Sequence, residues 1–407
     1  MVSASSIASG QEFPIDRPAS LDALLNFAWS SAVFTATDAI AATGLTRSTT
    51  IGAIDSLVGL GLLRELPNLR ATESYRLGRP ARRFELRSDA GVLVGVDSGY
   101  EHLAVVVADL RGTELTTHRE TFDLHETEPA VRLREIGVAI DAALATAERS
   151  REDVLSLCIG VPAPVNGAGR SPRHPTGFWQ LMNPDLIDEF SVWVPTVRIE
   201  NDAYLAAIAE GAHGHATDCA NYIVLLAGER LGAGIVVDGH PLRGSHGGVG
   251  EMGAFALVRG VDGDAGLGQV AVAFAREALA RGEGGELAEL SPGELDGRAI
   301  IESATGGDRL AIGVVTRLGG VLARIVRVLG SLFDPSRVII AGAVPDGSDE
   351  LLAAARSELP ATTATPSPEL MVSKLGREVV ATGAIAAAAE AARAHALNVW
   401  LARRAAE

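Results

Sequence analysis

Two short polar segments carry side chains that can bind or activate hydroxyl groups. Glu200-Asn201-Asp202 lies where a strand is predicted to pass into a helix. An Asp at such a junction can cap the helix, or it can act as a general base on a hydroxyl. Glu251 follows a flexible glycine-rich turn in the stretch GSHGGVGEMG, residues 244–253, where its carboxylate can accept hydrogen bonds from sugar hydroxyls.

Glycine-rich turns at the ends of predicted strands form a second set of candidates. Glycine lets backbone amides approach a phosphate or a sugar closely, although tight turns need glycine for conformational reasons as well. Trp179, in PTGFWQL, can stack on the face of a sugar ring, with core packing as the alternative. The four turns are Asp97-Ser98-Gly99, residues 160–164, residues 231–234 and residues 341–343.

The charges are distributed unevenly along the chain. The formal net charge is −16 over 407 residues, yet residues 1–90 hold nine Arg and nine Asp or Glu and are therefore neutral. Residues 64–87 hold seven Arg and three Glu. DNA affinity depends on where cations face phosphates rather than on the total charge. A locally basic segment on an acidic body therefore keeps nucleic acid as a candidate partner.

The elements that position these arginines form a small N-terminal unit. Leu21, Leu24, Leu25 and Ala28 share one face of a predicted helix over 20–29. Two further helices follow, the second with a capping box of Thr35 and Asp38 and the third capped by Thr46. Extended stretches at 62–65 and 83–87 complete a winged helix-turn-helix over residues 1–88. A three-helix bundle without a DNA role is the alternative.

The third helix of a helix-turn-helix enters the major groove, and the wing contacts the flanking backbone. Proline and glycine around Arg79, in Gly78-Arg79-Pro80, favour insertion of that side chain into a narrow minor groove, although the tripeptide also fits a linker turn. Arg76 and Arg82 are predicted phosphate contacts or solvated charges. The outward residues predicted on the third helix are Arg47, Ser48, Thr49 and Ala53.

After residue 88 a strand–hairpin–strand pattern followed by a helix occurs twice. This repetition predicts two α/β lobes with a cleft between them, at residues 89–205 and 206–407. The last predicted helix, residues 381–395, is a candidate for packing back on the first lobe.

Five segments of the body resemble the ROK family (repressors, open reading frames and sugar kinases). The segments are GVDSGYEHLAVVVADLRG, GVPAPVNGAG, ENDAYLAAIAE, LGAGIVVDGHPLRGSHGGVGEMG and FDPSRVIIAGAV. The resemblance implies an actin-like body of the sugar-kinase and ribonuclease-H-like type, in which Asn201, Asp202 and Glu251 hold sugar hydroxyls. A winged helix head with a Gly-Arg-Pro linker is typical of the regulators of this family rather than its kinases.

Departures from the family pattern predict a protein that is not an enzyme. Family kinases follow their first Asp with Gly-Gly-Thr around the ATP phosphates, whereas Tyr100 and Glu101 stand in this turn and place bulk and negative charge there. Asp202 is then a vestigial base. Ala254 replaces the family's His, and FALVRGVDGDAGLG lacks the cysteines of its zinc loop. We therefore expect neither a metal nor a cofactor.

Composition and assembly complete the expectation. Two cysteines, the absence of a long apolar run and an N-terminus without a signal pattern predict a cytoplasmic protein without a membrane partner. The leading hypothesis is a DNA-binding regulator that forms a homodimer or a higher homo-oligomer, acts as a repressor of carbohydrate uptake or catabolism genes and is modulated by a sugar or sugar derivative. The alternatives are an ATP-dependent sugar kinase with an accessory head and a regulator that responds to a protein partner instead of a small ligand.

Overall fold

The computed structural model describes residues 18–67, 81–121, 128–228, 230–342, 348–359 and 366–406. The chain begins with a small head of three helices and three short strands. A turn of three residues, 44–46, joins its second helix to its third. In chain order the elements are α1 (Ala19–Ser30), β1 (Phe34–Thr35), α2 (Ala36–Thr43), α3 (Arg47–Gly59), β2 (Leu63–Leu66) and β3 (Arg83–Leu86).

Local hydrogen bonds determine where the head helices begin and end. The predicted capping box at α2 is confirmed, because the Thr35 side chain accepts from the Asp38 amide and Asp38 accepts from the Thr35 amide at 2.8 Å. Gly44 ends α2 with a φ of +69°, which a residue with a Cβ adopts only at a cost. Thr46 then caps α3 by accepting from the amide of Thr49.

The strands of the head form one antiparallel sheet in the order β1-β3-β2. Phe34 and Phe84 lie opposite each other in this sheet and are buried. Ile54 and Leu57 of α3 belong to the same core. The sequence analysis predicted only β2 and β3, since β1 is two residues long and too short to show an alternating pattern.

The first lobe is built on a five-stranded sheet in the order β6-β5-β4-β7-β8. Strand β4 pairs in parallel with β7, and β7 pairs in parallel with β8. Every residue of β4 and β7 is buried, as expected for central strands covered on both faces. The elements are β4 (Val92–Ser98), β5 (His102–Asp109), β6 (Glu114–Thr121), α4 (Pro129–Thr146), β7 (Val154–Val161), α5 (Phe178–Met182), α6 (Leu186–Ser191) and β8 (Thr196–Asn201).

The second lobe repeats this plan with a sheet in the order β11-β10-β9-β12-β13. In both sheets the first three strands are antiparallel and the last two pairings are parallel. The elements are α7 (Asp202–His213), β9 (Tyr222–Ala227), β10 (Leu231–Val237), β11 (His240–Pro241), α8 (Leu267–Ala280), α9 (Gly297–Thr305), α10 (Arg309–Phe333), β12 (Arg337–Ala341), α11 (Asp349–Glu358), β13 (Glu369–Val372) and α12 (Val379–Ala406).

Two helices lie between the sheets and join the lobes. Helix α12 packs against β4 and β7 of the first sheet, α7 packs against β9 and β10 of the second, and the two helices pack on each other. A Cβ at Gly383 of α12 would overlap the carbonyl oxygen of Leu205 in α7, so the two backbones are in direct contact. Helix α7 crosses the predicted lobe boundary at residue 205, and α12 extends eleven residues beyond the predicted end at 395.

Two arginines of the body hold the end of the first head helix. Arg111, in the β5–β6 turn, donates to the carbonyl oxygens of Trp29 at 3.2 Å and Ser31 at 2.7 Å. Arg393 of α12 donates to the side chain of Asn26 at 2.8 Å and to its carbonyl oxygen at 3.0 Å. Cations are favoured near a helix C-terminus, where carbonyl groups lack intrahelical partners. Within the described ranges, no helix has the length and apolar character that crossing a bilayer requires.

Replacing Gly383 by Ala tests the contact between α7 and α12. The added methyl group forces the two backbones apart, and such overpacking typically costs about 1–3 kcal/mol. Gly313→Ala is the matched control, because Gly313 lies on an exposed face of α10 with no atom within 4 Å of an added Cβ. We expect thermal unfolding to show a lower Tm for Gly383→Ala and an equal or higher Tm for Gly313→Ala. Equal melting of the two variants would contradict the close packing.

Candidate ligand cleft and DNA-facing surface

A cavity of about 1290 Å³ lies between the two lobes. The first lobe contributes the β4–β5 turn, residues 174–179 and the junction of β8 with α7. The second lobe contributes the β9–β10 turn, Glu251, and parts of α8 and α9. All four predicted ligand-binding residues line this cavity, although they come from distant parts of the sequence. They are Trp179, Asn201, Asp202 and Glu251.

Asn201, rather than Asp202, caps helix α7. Its Oδ1 accepts from the amide of Tyr204 at 3.0 Å, and its Nδ2 donates to the carbonyl oxygen of Ala163 at 3.2 Å. Asp202 accepts from the next amide, that of Ala203, at 2.7 Å. Since Asn201 performs the structural role, the carboxyl group of Asp202 is available to a ligand in the cleft.

Two carboxyl groups in the cleft hold their protons more tightly than exposed acids do. Burial, with smaller contributions from the carboxylates of Asp97 and Glu251, raises the pKa of Asp202 to about 7, against the lowering effects of the Ala203 amide and the His102 ring. Desolvation in the cleft also raises the pKa of Glu251. Near neutral pH, Asp202 can therefore donate a hydrogen bond as an acid or accept a proton as a base.

His102 covers the turn that would face phosphates. Its Nε2 lies 3.0 Å from Oδ2 of Asp97, and this hydrogen bond raises the pKa of the imidazole. A Cβ at Gly99 would overlap the imidazole ring, so the ring lies directly on the glycine. Tyr100, which the sequence analysis placed as the obstruction, instead contacts Phe178 with ring centroids 5.7 Å apart. Sequence reasoning missed His102. The only signal in the sequence for this contact was that a residue with a ring follows the turn directly.

Arg132 of α4 supports the same turn from behind. Its side chain is fully buried and donates to the carbonyl oxygen of Ser98 at 2.6 Å, the hydroxyl of Ser98 at 2.7 Å and the carbonyl oxygen of Gly99 at 3.2 Å. Burial lowers the pKa of this guanidinium to about 10. Sequence reasoning missed Arg132 as well, because nothing in a helical pattern distinguishes an arginine that turns inward.

Aromatic rings form one wall of the cleft. The half-buried ring of Trp179 lies with its centroid 4.6 Å from that of His174, and His174 in turn lies 6.5 Å from Phe178. These rings and Tyr100 all line the cavity. An aromatic wall beside carboxyl groups suits a ligand with an apolar face and several hydroxyl groups.

Helix α3 of the head presents a polar face to solvent. Arg47, Ser48 and Thr49 are exposed there, as predicted for residues that contact DNA. The prediction for Ala53 is wrong, because this residue is 4% exposed and packs in the head core. Ile51 is exposed instead, since it lies one turn after Arg47 on the same face. Sequence reasoning missed Ile51, although it placed Ile54 and Leu57 on the inward face of α3, where both are buried.

Arg82, one of the arginines predicted to contact DNA from the wing, is already paired with two acidic side chains. Arg82 donates to Glu65 at 2.8 Å and Asp55 at 3.2 Å, and lies over the ring of Phe84. Its side chain keeps 44% of its surface exposed, so a phosphate could still reach it. Arg76 and Arg79, the other two predicted contacts outside α3, lie outside the described residues.

The metal prediction remains a prediction. In the part of the chain that the structure describes, no three His, Cys, Asp or Glu side chains are grouped to hold an ion. Cys158 is buried in β7, where burial raises the pKa of its thiol, and Cys219 is half-buried.

The comparison with known families concerns both lobes. The sequence profile of the ROK family matches residues 93–391, from β4 into α12. The chain belongs to the ROK family. A putative xylose repressor of Caldicellulosiruptor sp. (strain Rt8B.4) is 24% identical over 311 residues, which are 73% of this chain and 76% of that protein.

Two solved ROK structures resemble different portions of the chain. A ROK family transcriptional regulator, a homolog of the E. coli MLC protein, matches 94% of this chain and 99% of its own with a TM-score of 0.73 and 21% identity. A ROK family glucokinase from Streptomyces griseus, in complex with glucose and AMPPNP, matches 74% of this chain and 100% of its own with a TM-score of 0.58 and 27% identity. The body therefore has the mixed α/β, actin-like fold of sugar kinases.

Substituting Asp202 by Asn tests the raised pKa. A carboxyl whose pKa is raised on folding costs nothing below its unfolded pKa, near 4, and destabilises the fold as pH rises through its folded pKa, near 7. We expect Asp202→Asn to raise the Tm at about pH 8, corresponding to roughly 2–4 kcal/mol, with the gain disappearing toward about pH 4.

Asp349→Asn, which removes an exposed carboxylate from α11, is the control and should not show this pH-dependent gain. Differential scanning fluorimetry across this pH range measures both variants. An Asp202→Asn protein that melts at or below the wild-type temperature at about pH 8 would show that Asp202 is not held in a desolvated cleft.

Proposed function

We propose that this ROK protein is a sugar-responsive, DNA-binding transcriptional regulator that represses genes of carbohydrate uptake or catabolism. The observation that carries the proposal is the head. A ROK body alone suits a kinase, whereas three helices and an antiparallel sheet tied to that body by Arg111 and Arg393 suit a regulator. The match to a regulator over 94% of the chain takes in this head and supports the proposal.

The head is proposed to be a winged helix-turn-helix. Helix α2, the short turn at 44–46 and helix α3 form the helix-turn-helix, and β2 with β3 forms the base of the wing. Arg47 at the start of α3 contacts guanine or a phosphate, the hydroxyls of Ser48 and Thr49 contact the backbone, and Ile51 packs on a thymine methyl group. The acidic body repels DNA, so productive contacts are confined to the head.

The cleft between the lobes is proposed to hold the effector. A putative xylose repressor among the relatives and the glucose complex of a related glucokinase support a sugar or a sugar derivative as that effector. Asn201, Asp202 and Glu251 would bind its hydroxyl groups, and Trp179 would cover its apolar face. Asp202 can donate as well as accept hydrogen bonds near neutral pH, which compensates in part for the family histidine replaced by Ala254.

Regulation is proposed to act through the spacing of two heads. A homodimer presents two α3 helices to the two halves of a pseudo-palindromic operator. A ligand that favours one degree of lobe closure shifts the population of one head arrangement over the other. Such a protein would act where the DNA is, in the cytoplasm.

A sugar kinase is the second candidate function. Asp202 favours it, because a carboxylate with a pKa near 7 is a suitable base for a sugar hydroxyl, and so does the similarity to a glucokinase. The β4–β5 turn argues against a kinase. The ring of His102 lies on Gly99 and is hydrogen-bonded to Asp97. The turn therefore offers neither an open backbone for phosphates nor a free carboxylate for their counter-ion.

Arg47→Ala tests the head, measured by fluorescence anisotropy with DNA from the protein's own upstream region. We expect tight binding at low salt with a steep salt dependence, and about tenfold or greater weakening by the substitution. Arg309→Ala, which removes an exposed arginine from the body, should bind as tightly as the wild type. Equal weakening by both substitutions, or no binding at low salt, would count against the DNA-binding function.

A panel of sugars added to the same titration, together with an ADP-release assay, separates the candidates. A regulator changes its DNA affinity with one sugar and releases no ADP above background. Release of ADP that depends on Asp202 would instead establish the kinase. DNA binding that is indifferent to every sugar, with no thermal stabilisation by any of them, would favour a regulator without a small ligand.

A further inference from the structure

A buried carboxylate connects the two lobes next to the ligand residues. Glu200, immediately before Asn201, is 3% exposed. It accepts hydrogen bonds from Arg198 of the same strand at 2.8 Å and from Arg243 at 2.9 Å. Arg243 belongs to the second lobe, two residues after β11. One carboxylate of the first lobe is therefore shared by an arginine from each lobe.

Arg243 also begins the loop that carries Glu251. Its carbonyl oxygen accepts from the amide of Val249 at 3.3 Å, and the amide of Glu251 donates to Gly248 at 3.4 Å. A Cβ at Gly247 would overlap the backbone of Val165, so the loop rests directly on the first lobe. The pair of Arg243 and Glu200 is thus one of the contacts that hold this loop against the first lobe, while Glu251 itself forms a bridge with Gly232 of β10.

The same carboxylate is connected to the head on its other side. Arg198 donates to Glu390 of α12 at 2.9 Å and approaches the carbonyl oxygen of Ala387 at 3.4 Å. One helical turn after Glu390, Arg393 holds the side chain and the carbonyl oxygen of Asn26 in α1. A continuous series of polar contacts therefore runs from the ligand loop, through Glu200 and α12, to the first helix of the head.

The strengths of these contacts differ along the series. Glu200 and its two arginines are largely buried. Separating a buried ion pair leaves an uncompensated charge, so these three side chains are held firmly together. The side chain of Glu390 is 70% exposed, so its link to Arg198 is weak and reversible. Because the contacts of Glu200 are strong and the contact of Arg198 with Glu390 is weak, Glu200 and its two arginines can move together relative to the head.

We propose that Glu200 and Arg243 are positioning residues that transmit the state of the ligand loop to the head through Arg198 and α12. A ligand that draws Glu251 toward Asn201 and Asp202 moves Arg243, and with it the cluster that holds α12 under α1. This inference rests on the proposed function of a ligand-responsive regulator. Transmission requires an element with two arrangements that both sites bias, and the proposal assigns this role to α12.

Hydrogen exchange of the full-length protein, without DNA or sugar, tests the connection by itself. We expect Arg243→Gln to raise exchange in the loop at 243–251 and also, by about tenfold, in α12 around 387–393 and in the last turn of α1. Arg243→Lys should restore much of the protection. Arg230→Gln, which removes another cleft-lining arginine whose partner is Asp264, should leave α1 and α12 unchanged.

An increase confined to the loop at 243–251, or equal effects of Arg243→Gln and Arg230→Gln, would overturn the proposal. If Arg243→Gln does not fold, Glu390→Gln replaces it, because Glu390 is on the surface. That variant should raise exchange in α1 and leave the ligand loop protected, and unchanged exchange in α1 would refute the connection.

A second measurement separates this proposal from the proposed function. If the wild-type protein responds to a sugar in the DNA titration, Arg243→Gln should keep its DNA affinity and lose most of the response to that sugar. A full response in the variant would overturn transmission through Arg243 while leaving the regulator intact. Absence of DNA binding by the wild-type protein would overturn the function, whatever hydrogen exchange shows.

Discussion

The direct contact of α7 with α12 is the constraint on which the remaining structure depends. Each helix covers one of the two sheets, so their separation sets the distance between the lobes. Gly383 allows the backbones to touch, and Gly234 of β10 similarly admits the backbone of Ala203 from α7. Small residues at these points bring Asp202, at the start of α7, opposite the second lobe. A wider separation would leave Asp202 better solvated and farther from the carboxylates that help to raise its pKa.

The chemistry of the cleft follows from this closeness. Asp97, Asp202 and Glu251 come from three separate parts of the chain, and the burial of Asp202 together with its two carboxylate neighbours raises the pKa of Asp202 to about 7. His102 is hydrogen-bonded to one of the three carboxylates, that of Asp97. A kinase needs the turn beneath that pair to be open to phosphates, whereas a binding site needs only the hydroxyl-facing groups. The geometry therefore leaves the proposed hydroxyl-binding groups open to the cleft and covers the turn that would face phosphates.

Helix α12 links the cleft to the head because it has three different neighbours. It covers the first sheet, packs on α7, and reaches α1 through Arg393. Arg111 adds a second attachment from the β5–β6 turn, so the head is held at the end of α1 by two cations that face backbone carbonyl groups. Both attachments are polar, and they lie beside an apolar contact, because the buried residues of the head and of α12 belong to one continuous hydrophobic cluster.

Much of the fold was predictable from the sequence, because helix caps and strand periodicity depend on residues only a few positions apart. Thr35 with Asp38, Thr46, and the apolar runs of β4 and β7 are of this kind, as is the placement of Asn201 and Asp202 at one junction. Tertiary structure decided how far the buried face of α3 extends, and so replaced Ala53 by Ile51 on its surface. It also brought His102 onto Gly99, Arg132 beneath that turn, and Arg243 to Glu200. These partnerships and the raised pKa of Asp202 depend on burial and on groups from separate elements, which no local pattern in the sequence records.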